Sequence, residues 1–237
     1  MDIGVLGAGR MAEALGSHWA RAGHRLLVSG RDPGRAAALA ARLGPAARAG
    51  DFAEAAAFGE VVLLAIRAEG ALDVLAAAGA ARGALAGRIL IDCVNEVAPG
   101  FVPASDGGPS MAARVAGAAP GARVVKGFNL CHEDVWRMTP PVFDGVPLAV
   151  PLCGDDPAAL ETVRRLVRDL GCVPQVGGGL ARAGLLEATA ALVIGLWVGA
   201  GEDARAMLPP LSHAAGPPAG AHSAPGAARD QSAPGSR

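Results

Sequence analysis

Residues 1–16, MDIGVLGAGRMAEALG, constrain this chain more than any other stretch. Ile3, Val5 and Leu6 form the short apolar run of a buried parallel strand, and Gly7-Ala8-Gly9-Arg10-Met11-Ala12 follows as G-x-G-x-x-A before a helical pattern opens. Each small residue has a physical role in that pattern. Gly7 permits a tight strand-to-helix turn, Gly9 lets the backbone approach a pyrophosphate, and Ala12 keeps the helix close to the sheet. The N–H groups that open the helix, around Arg10 and Met11, face the anion while the helix dipole adds attraction, so a phosphate is held without a charged side chain. In a chain rich in Ala and Gly the same letters also arise as a plain turn. Position selects the dinucleotide reading, because the motif follows the first strand and a second strand comes one helix later.

The end of that second strand, residues 25–29 (RLLVS), chooses the nucleotide. A site for NAD carries an acidic residue about twenty positions past the motif to hold the ribose hydroxyls, whereas a site for NADP carries small polar and cationic groups for the 2′-phosphate. Here the chain reads Ser29-Gly30-Arg31-Asp32-Pro33-Gly34-Arg35. Ser29 and Arg31 stand where the acid would be, and Arg35, about one helical turn further on, reaches the same phosphate. The competing reading of Arg31 and Arg35 is a solvated helix start. Asp32 followed by Pro33 is a helix N-cap signature, which gives that acid a local role. NADP(H) is the expected cofactor.

Alternation of helix and strand continues. A helix over 33–43, a weak strand over 46–49 and a short helix over 51–58 precede the apolar strand 61–66 (VVLLAI). Ligands in doubly wound sheets lie beyond the carboxyl ends of strands, so Ala65, Ile66 and Arg67 fall beside the nicotinamide ribose. A helix over 70–81 leads to the strand 89–92, after which Asn95 is placed for the ribose or the nicotinamide carboxamide. Residues 95–110 are rich in Pro and Gly and read as a long loop of the kind often found at sites. Ser110 caps a helix over 111–117, and the strand 123–127 delivers Phe128-Asn129-Leu130-Cys131-His132. A strand over 147–152, a helix from Asp156 with Leu160, Val163, Leu166, Val167 and Leu170 at helical spacing, and a strand over 173–176 make a β-α-β unit. An apolar helix over 180–198, with Glu187 set in it, closes the pattern.

The fold class expected is therefore α/β, a Rossmann-type doubly wound parallel sheet with a small C-terminal β-α-β plus helix subdomain. Residues 1–145 form the NADP-binding domain, 146–211 the subdomain and 212–237 a tail of Ala, Gly, Pro and Ser too poor in large apolar residues to offset its ordering entropy.

Composition excludes several classes of partner. With 237 residues, 51% of them hydrophobic, the chain can bury a sizeable core. A formal net charge of −1 removes the electrostatic case for nucleic acid or an anionic membrane. The longest uncharged apolar run, 188–200, is shorter than the roughly 18–20 residues that span a bilayer, so no membrane segment is expected. Cys93, Cys131, Cys153 and Cys172 show no C-x-x-C spacing and the start has no signal-peptide pattern, which points to free thiols in the cytoplasm. His18 and His24 lack ligand spacing, and no metal site is expected. His132 has two readings, a group that hydrogen-bonds an acceptor ring or delivers a proton, and a polar cap for a helix over 133–138. Glu187 reads as a partnered carboxylate in the core or at an interface, and a homodimer through the 180–198 helix is expected.

Four stretches together carry a family likeness. IGVLGAGRMAEAL, SGRDPGRA, VVKGFN and GDDPAALETVRRLVRDLG, the last followed by GLARAGLLE, resemble the NADPH-dependent deazaflavin (coenzyme F-420) oxidoreductases and their NADP-binding relatives over about residues 1–200. The chain also looks like the cytosolic part of membrane ferric reductases. The resemblance implies hydride passing between NADP(H) and a flat flavin-like ring, with the deazaflavin coenzyme F-420 as the second substrate. It also implies that Lys126, Phe128 and Asn129 lie by the nicotinamide and the second ring. This chain departs from the family in Gly127, where alanine is usual, and in Cys131-His132 after the Asn. Asn129 and His132 are the acceptor-pocket candidates, while Phe128 reads from its surroundings as a core residue. No catalytic side chain is assigned, since transfer between stacked rings needs orientation above all. Two other readings are an NADPH-dependent reductase of a small C=N or C=O substrate and a non-catalytic NADP-binding regulatory protein. The reductase reading calls for a proton donor and a larger helical C-terminal domain.

Overall fold

The computed structural model describes residues 1–105 and 107–207; the expected tail, 212–237, lies outside the described residues. An eight-stranded sheet forms its centre, built from β1 (Asp2–Leu6), β2 (Arg25–Ser29), β3 (Ala47–Gly50), β4 (Val61–Leu64), β5 (Ile89–Asp92), β6 (Arg123–Lys126), β7 (Ala149–Gly154) and β8 (Val173–Gly178). Their spatial order is β8-β7-β6-β5-β4-β1-β2-β3. Neighbours pair in parallel from β3 to β6, β7 runs antiparallel to β6, and β8 runs parallel to β7. The central strands VVLL and ILID are buried along their whole length, as a parallel sheet covered on both faces requires.

Two apolar layers cover the two faces. On one, Trp19 and Leu15 of α1 (Arg10–Arg21), Leu39 of α2 (Pro33–Leu43) and Val163 and Leu166 of α7 (Pro157–Arg168) pack against Ile3, Val5 and Leu152. Trp136 of α6 (Glu133–Arg137) joins the same layer. On the other face, Ala55 of α3 (Phe52–Phe58), Val74 of α4 (Ala71–Ala77) and Val115 of α5 (Met111–Ala118) pack against Leu6, Val62 and Leu90. The helix α8 (Ala183–Ile194) lies beside α5 and continues as a wider turn over Gly195–Ala200.

Local chemistry sets the helix starts. Asp32 accepts from the N–H groups of Gly34 (2.9 Å) and Arg35 (3.2 Å), with Pro33 in the first turn, so the cap expected from the sequence is formed. Asp51 and Glu54 form a reciprocal capping box at α3. The sequence expectations differ from the structure at several edges. The helix expected over 70–81 stops at Ala77, because Gly79 and Gly83 take left-handed conformations. The 95–110 loop carries a two-stranded hairpin, Val97–Ala98 with Val102–Pro103. The division expected at 145/146 is not a break, because β7 bonds directly to β6 and Met1–Glu202 form one compact unit. A second unit begins at Asp203, where Ala204–Met207 form a single helical turn.

The helical stretch Leu180–Ala200 is longer than the sequence suggests. It runs for 21 residues, its most apolar window has a mean hydropathy of 1.7, enough by length and composition to cross a membrane, and 22% of that window is buried. Glu187 near its middle is 6% exposed and bonded within the protein.

Candidate functional site

The strand order reverses between β1 and β4, and a cleft of about 1090 Å³ opens at their carboxyl ends. Gly7 makes this crossing possible. Its φ is +133°, and a Cβ there would stand 2.2 Å from the carbonyl oxygen of Ala65, so no larger residue fits between the β1 turn and the end of β4. Gly9 differs. Its φ is −98°, an ordinary extended value, and a Cβ there would meet no protein atom within 4 Å. The fold does not demand a glycine at 9; the space it leaves opens on the cleft. No side chain caps the start of α1 at Gly9, so its first N–H groups are open to an anion.

Most of the residues expected at a cofactor line this one cleft. Gly7, Gly9, Arg10 and Met11 form its floor, Arg31 and Arg35 stand at the β2 end, Ala65, Ile66 and Arg67 follow β4, and Asn95 and Asn129 lie at the β5 and β6 ends. Arg31 and Arg35 are both exposed, and among the described residues neither has an ion-pair partner. Arg10, by contrast, is bridged by Nε to Glu133 (2.8 Å) and by a terminal nitrogen to Asp134 (3.3 Å) across the mouth of the cleft.

Three expectations need correction. Ser29 is fully buried and its hydroxyl donates to the Val5 carbonyl (2.8 Å), so it ties β2 to β1 and does not face the cleft. Ala12, by contrast, is fully buried and absent from the cleft wall, in keeping with its expected role of letting α1 pack close to the sheet. His132 lies outside the cleft with 58% of its side chain exposed, and its Nδ1 accepts from the Asp134 N–H at the start of α6, the capping role. Lys126 is fully buried beneath the cleft, bonded to Asp92 and Glu187.

The β6 end is shaped by a strained residue. Phe128 has φ +58°, a costly value for a side chain of its size, and is held there between Trp19 (ring centroids 6.0 Å) and Trp136 (5.6 Å) in edge-to-face contacts. That turn brings Asn129 to the cleft. Its Nδ2 donates to Asn95 Oδ1 (2.9 Å) and to the Leu186 carbonyl (3.2 Å), and Asn95 Nδ2 donates back to the Asn129 carbonyl (2.6 Å). Asn129 Oδ1 is buried without a hydrogen-bond partner among the described residues, an acceptor left over for a ligand. At Gly127 a Cβ would stand 2.5 Å from the tip of Leu152, so the glycine that departs from the family pattern makes room for that side chain.

Several wall residues carried no signal in the sequence. Phe52 reaches the cleft from the start of α3, Glu69 from the turn before α4, Asp73 and Val74 from α4, Cys93 and Cys131 from the loops after β5 and β6, and Glu133 from the start of α6. Burial pushes the Cys93 thiol up to about 12, with the neighbouring Asp92 carboxylate adding to the effect, and burial pushes Cys131 up to about 11. Both are therefore poor nucleophiles at neutral pH. Among the described residues no cluster of three or more His, Cys, Asp or Glu is placed to hold a metal ion.

Comparison with known proteins gives this geometry a context. Residues 2–96 match the profile of the family described as NADP oxidoreductase coenzyme F420-dependent. The chain is 30% identical over 195 residues to the metalloreductase STEAP3 of Rattus norvegicus, covering 82% of this chain and 37% of that one. It is 35% identical over 181 residues to a glycerol-3-phosphate dehydrogenase (NAD(P)+) of Azorhizobium caulinodans, covering 68% and 48% respectively. The chain thus spans less than half the length of either curated relative. Among solved structures, one provisionally named an F420-dependent NADP reductase, from an Arthrobacter species, superposes with a TM-score of 0.73 at 27% identity, covering 84% of this chain and 95% of that one.

Proposed function

We propose, from the match of residues 2–96 to the profile described as NADP oxidoreductase coenzyme F420-dependent, that this chain is an NADP(H)-dependent oxidoreductase whose second substrate is a flavin-like ring, the deazaflavin coenzyme F-420. One observation carries the cofactor part: an uncapped helix start with free space at Gly9 and two unpaired arginines, Arg31 and Arg35, converge on a single cleft. The residues fit the group chemically. The first N–H groups of α1 take the pyrophosphate, Arg31 and Arg35 take the 2′-phosphate, and Asn95 with the unpaired Asn129 Oδ1 takes the carboxamide. Bound there, the cofactor supplies the hydride chemistry of its nicotinamide ring.

The protein's own part is orientation and the exclusion of water. Ile66, Met11 and Val94 give the cleft apolar walls, and the Asn95–Asn129 pair fixes the edge against which a planar ring is aligned. Packing of Phe128 between Trp19 and Trp136 holds the turn that carries that edge. The test is NADPH oxidation measured against a panel of deazaflavin, flavin, quinone and imine acceptors. Turnover with the deazaflavin or a flavin supports the reading; turnover with an imine alone replaces it by the C=N reductase, and binding without turnover replaces it by a regulatory protein.

The same reading places the protein in the cytoplasm as a homodimer through the 180–198 helix, on which Leu185, Leu192, Trp197 and Val198 are exposed. A monomeric mass by light scattering refutes the dimer.

A further inference from the structure

Below the cleft three charges are buried together. Lys126 and Asp92 are fully buried and Glu187 is 6% exposed. The Lys126 ammonium lies 3.1 Å from Asp92 Oδ2 and 3.0 Å from Glu187 Oε1, and it also donates to the Val94 carbonyl. Two hydrogen bonds, to Asp92 and to the Val94 carbonyl, and the ion pair with Glu187 thus surround the ammonium. Asp92 Oδ1 accepts from the Val94 N–H (2.8 Å), and the two Glu187 oxygens accept from the Met111 (2.8 Å) and Ala112 (3.0 Å) N–H groups at the start of α5. That helix start offsets the second negative charge.

A buried ion cluster is weak evidence for stability, since apolar residues of similar volume serve as well or better. Its connections point to another role. Lys126 and Asp92 hold Val94, the residue before Asn95. Glu187 lies next to Leu186, whose carbonyl accepts from Asn129. The cluster therefore grips both members of the Asn95–Asn129 pair from behind and ties them to α5 and α8.

We infer that Lys126, Asp92 and Glu187 are positioning residues that set the Asn95–Asn129 edge against the nicotinamide end of the cofactor, with α8 as its backing. The inference rests on the cofactor reading above. Lys126 thus matters to the ring without touching it. The fixed geometry of the amide pair requires a rigid support, and three satisfied charges in a dry interior supply one.

The test compares two probes, NADPH and 2′,5′-adenosine diphosphate, which keeps the adenine half and its phosphates but lacks the nicotinamide. Affinities are measured by calorimetry on the full chain and on the variant Asp92→Asn/Lys126→Met/Glu187→Gln, which removes all three charges and leaves none buried alone. The expected result is a roughly tenfold weaker Kd for NADPH, the loss of about one well-made hydrogen bond, with 2′,5′-adenosine diphosphate within about twofold of wild type. A purely structural role moves both probes together or neither, and either outcome overturns the inference. A wild type that binds neither probe refutes the cofactor reading and the inference with it. Should the triple variant not melt cooperatively, Glu187→Gln alone, which keeps an oxygen for Lys126, decides by the same ratio of affinities.

Discussion

Replacing Arg31 and Arg35 by alanine separates the two nicotinamide cofactors. Both guanidinium groups border the cleft, both are exposed, and neither is committed to an acidic partner among the described residues, so each is free for the 2′-phosphate. A hydrogen bond to a charged group contributes about 1.5–3 kcal/mol, and exposure to solvent and salt cuts this toward the value of a surface pair. About 1–2 kcal/mol per arginine is then expected, or roughly 5- to 30-fold in the Kd of NADPH. The double variant should fall short of the sum, because the two side chains share one phosphate. NADH lacks that phosphate and should change by less than about twofold. Fluorescence titration of wild type, Arg31→Ala, Arg35→Ala and the double variant with each cofactor measures this. Repeating the titration at higher ionic strength should narrow the wild-type preference, since exposed charges are screened. Equal losses for NADPH and NADH would refute the reasoning and return both arginines to a solvated helix start.

Gly9→Ala should leave Tm within a few degrees of wild type, since the added Cβ meets no protein atom, yet weaken NADPH binding strongly; a large fall in Tm contradicts this. Gly7→Ala should do the reverse and destabilise the fold itself, because its Cβ would press on the Ala65 carbonyl at a positive φ; thermal melting in the absence of cofactor checks it. The buried thiols fix a pH dependence. Cys93 rises from an ordinary 9.0 to about 12 and Cys131 to about 11, so above pH 9 the unfolded chain loses protons that the folded chain keeps. Stability from these groups is full below pH 9 and is lost as the pH rises through about 11–12, which should appear as a falling Tm that is blunted in a Cys93→Ala/Cys131→Ala variant.

The β-α-β alternation and the first cofactor loop were legible because local patterns determine them. The apolar run to Leu6, the Gly7 turn and the Asp32-Pro33 cap each work within a few residues, and each appears in the structure at its expected place. Ser29 was misread because position in the chain gives its place at the end of β2 but not which way it points; in a strand the alternate face is one residue away. Lys126, which the family likeness puts by the nicotinamide, lies beneath the cleft for a reason no local pattern records. A lysine at the end of a strand ordinarily reaches solvent, and only the convergence of Asp92 and Glu187 from distant segments makes its burial possible. Phe52, Asp73 and Glu133 enter the cleft through the packing of helix starts that lie far apart in sequence, which no periodicity records. The Asn95–Asn129 pair lay between these extremes. Each Asn was placed by the strand before it, whereas their mutual hydrogen bonds depend on the turn at Phe128.

The central claim, that hydride passes directly between NADP(H) and a flavin-like ring held at the Asn129 end of the cleft, is tested most directly by isotope tracing. NADPH carrying deuterium at both C4 positions of the nicotinamide is incubated with the protein and the oxidised deazaflavin coenzyme, and the product is analysed by mass spectrometry. The account predicts one deuterium carried onto the deazaflavin ring at the pace of NADPH oxidation, with transfer slowed in Asn129→Ala. Reduced deazaflavin without label, or no transfer to any flavin-like acceptor while an imine or carbonyl compound takes up the deuterium, would contradict it.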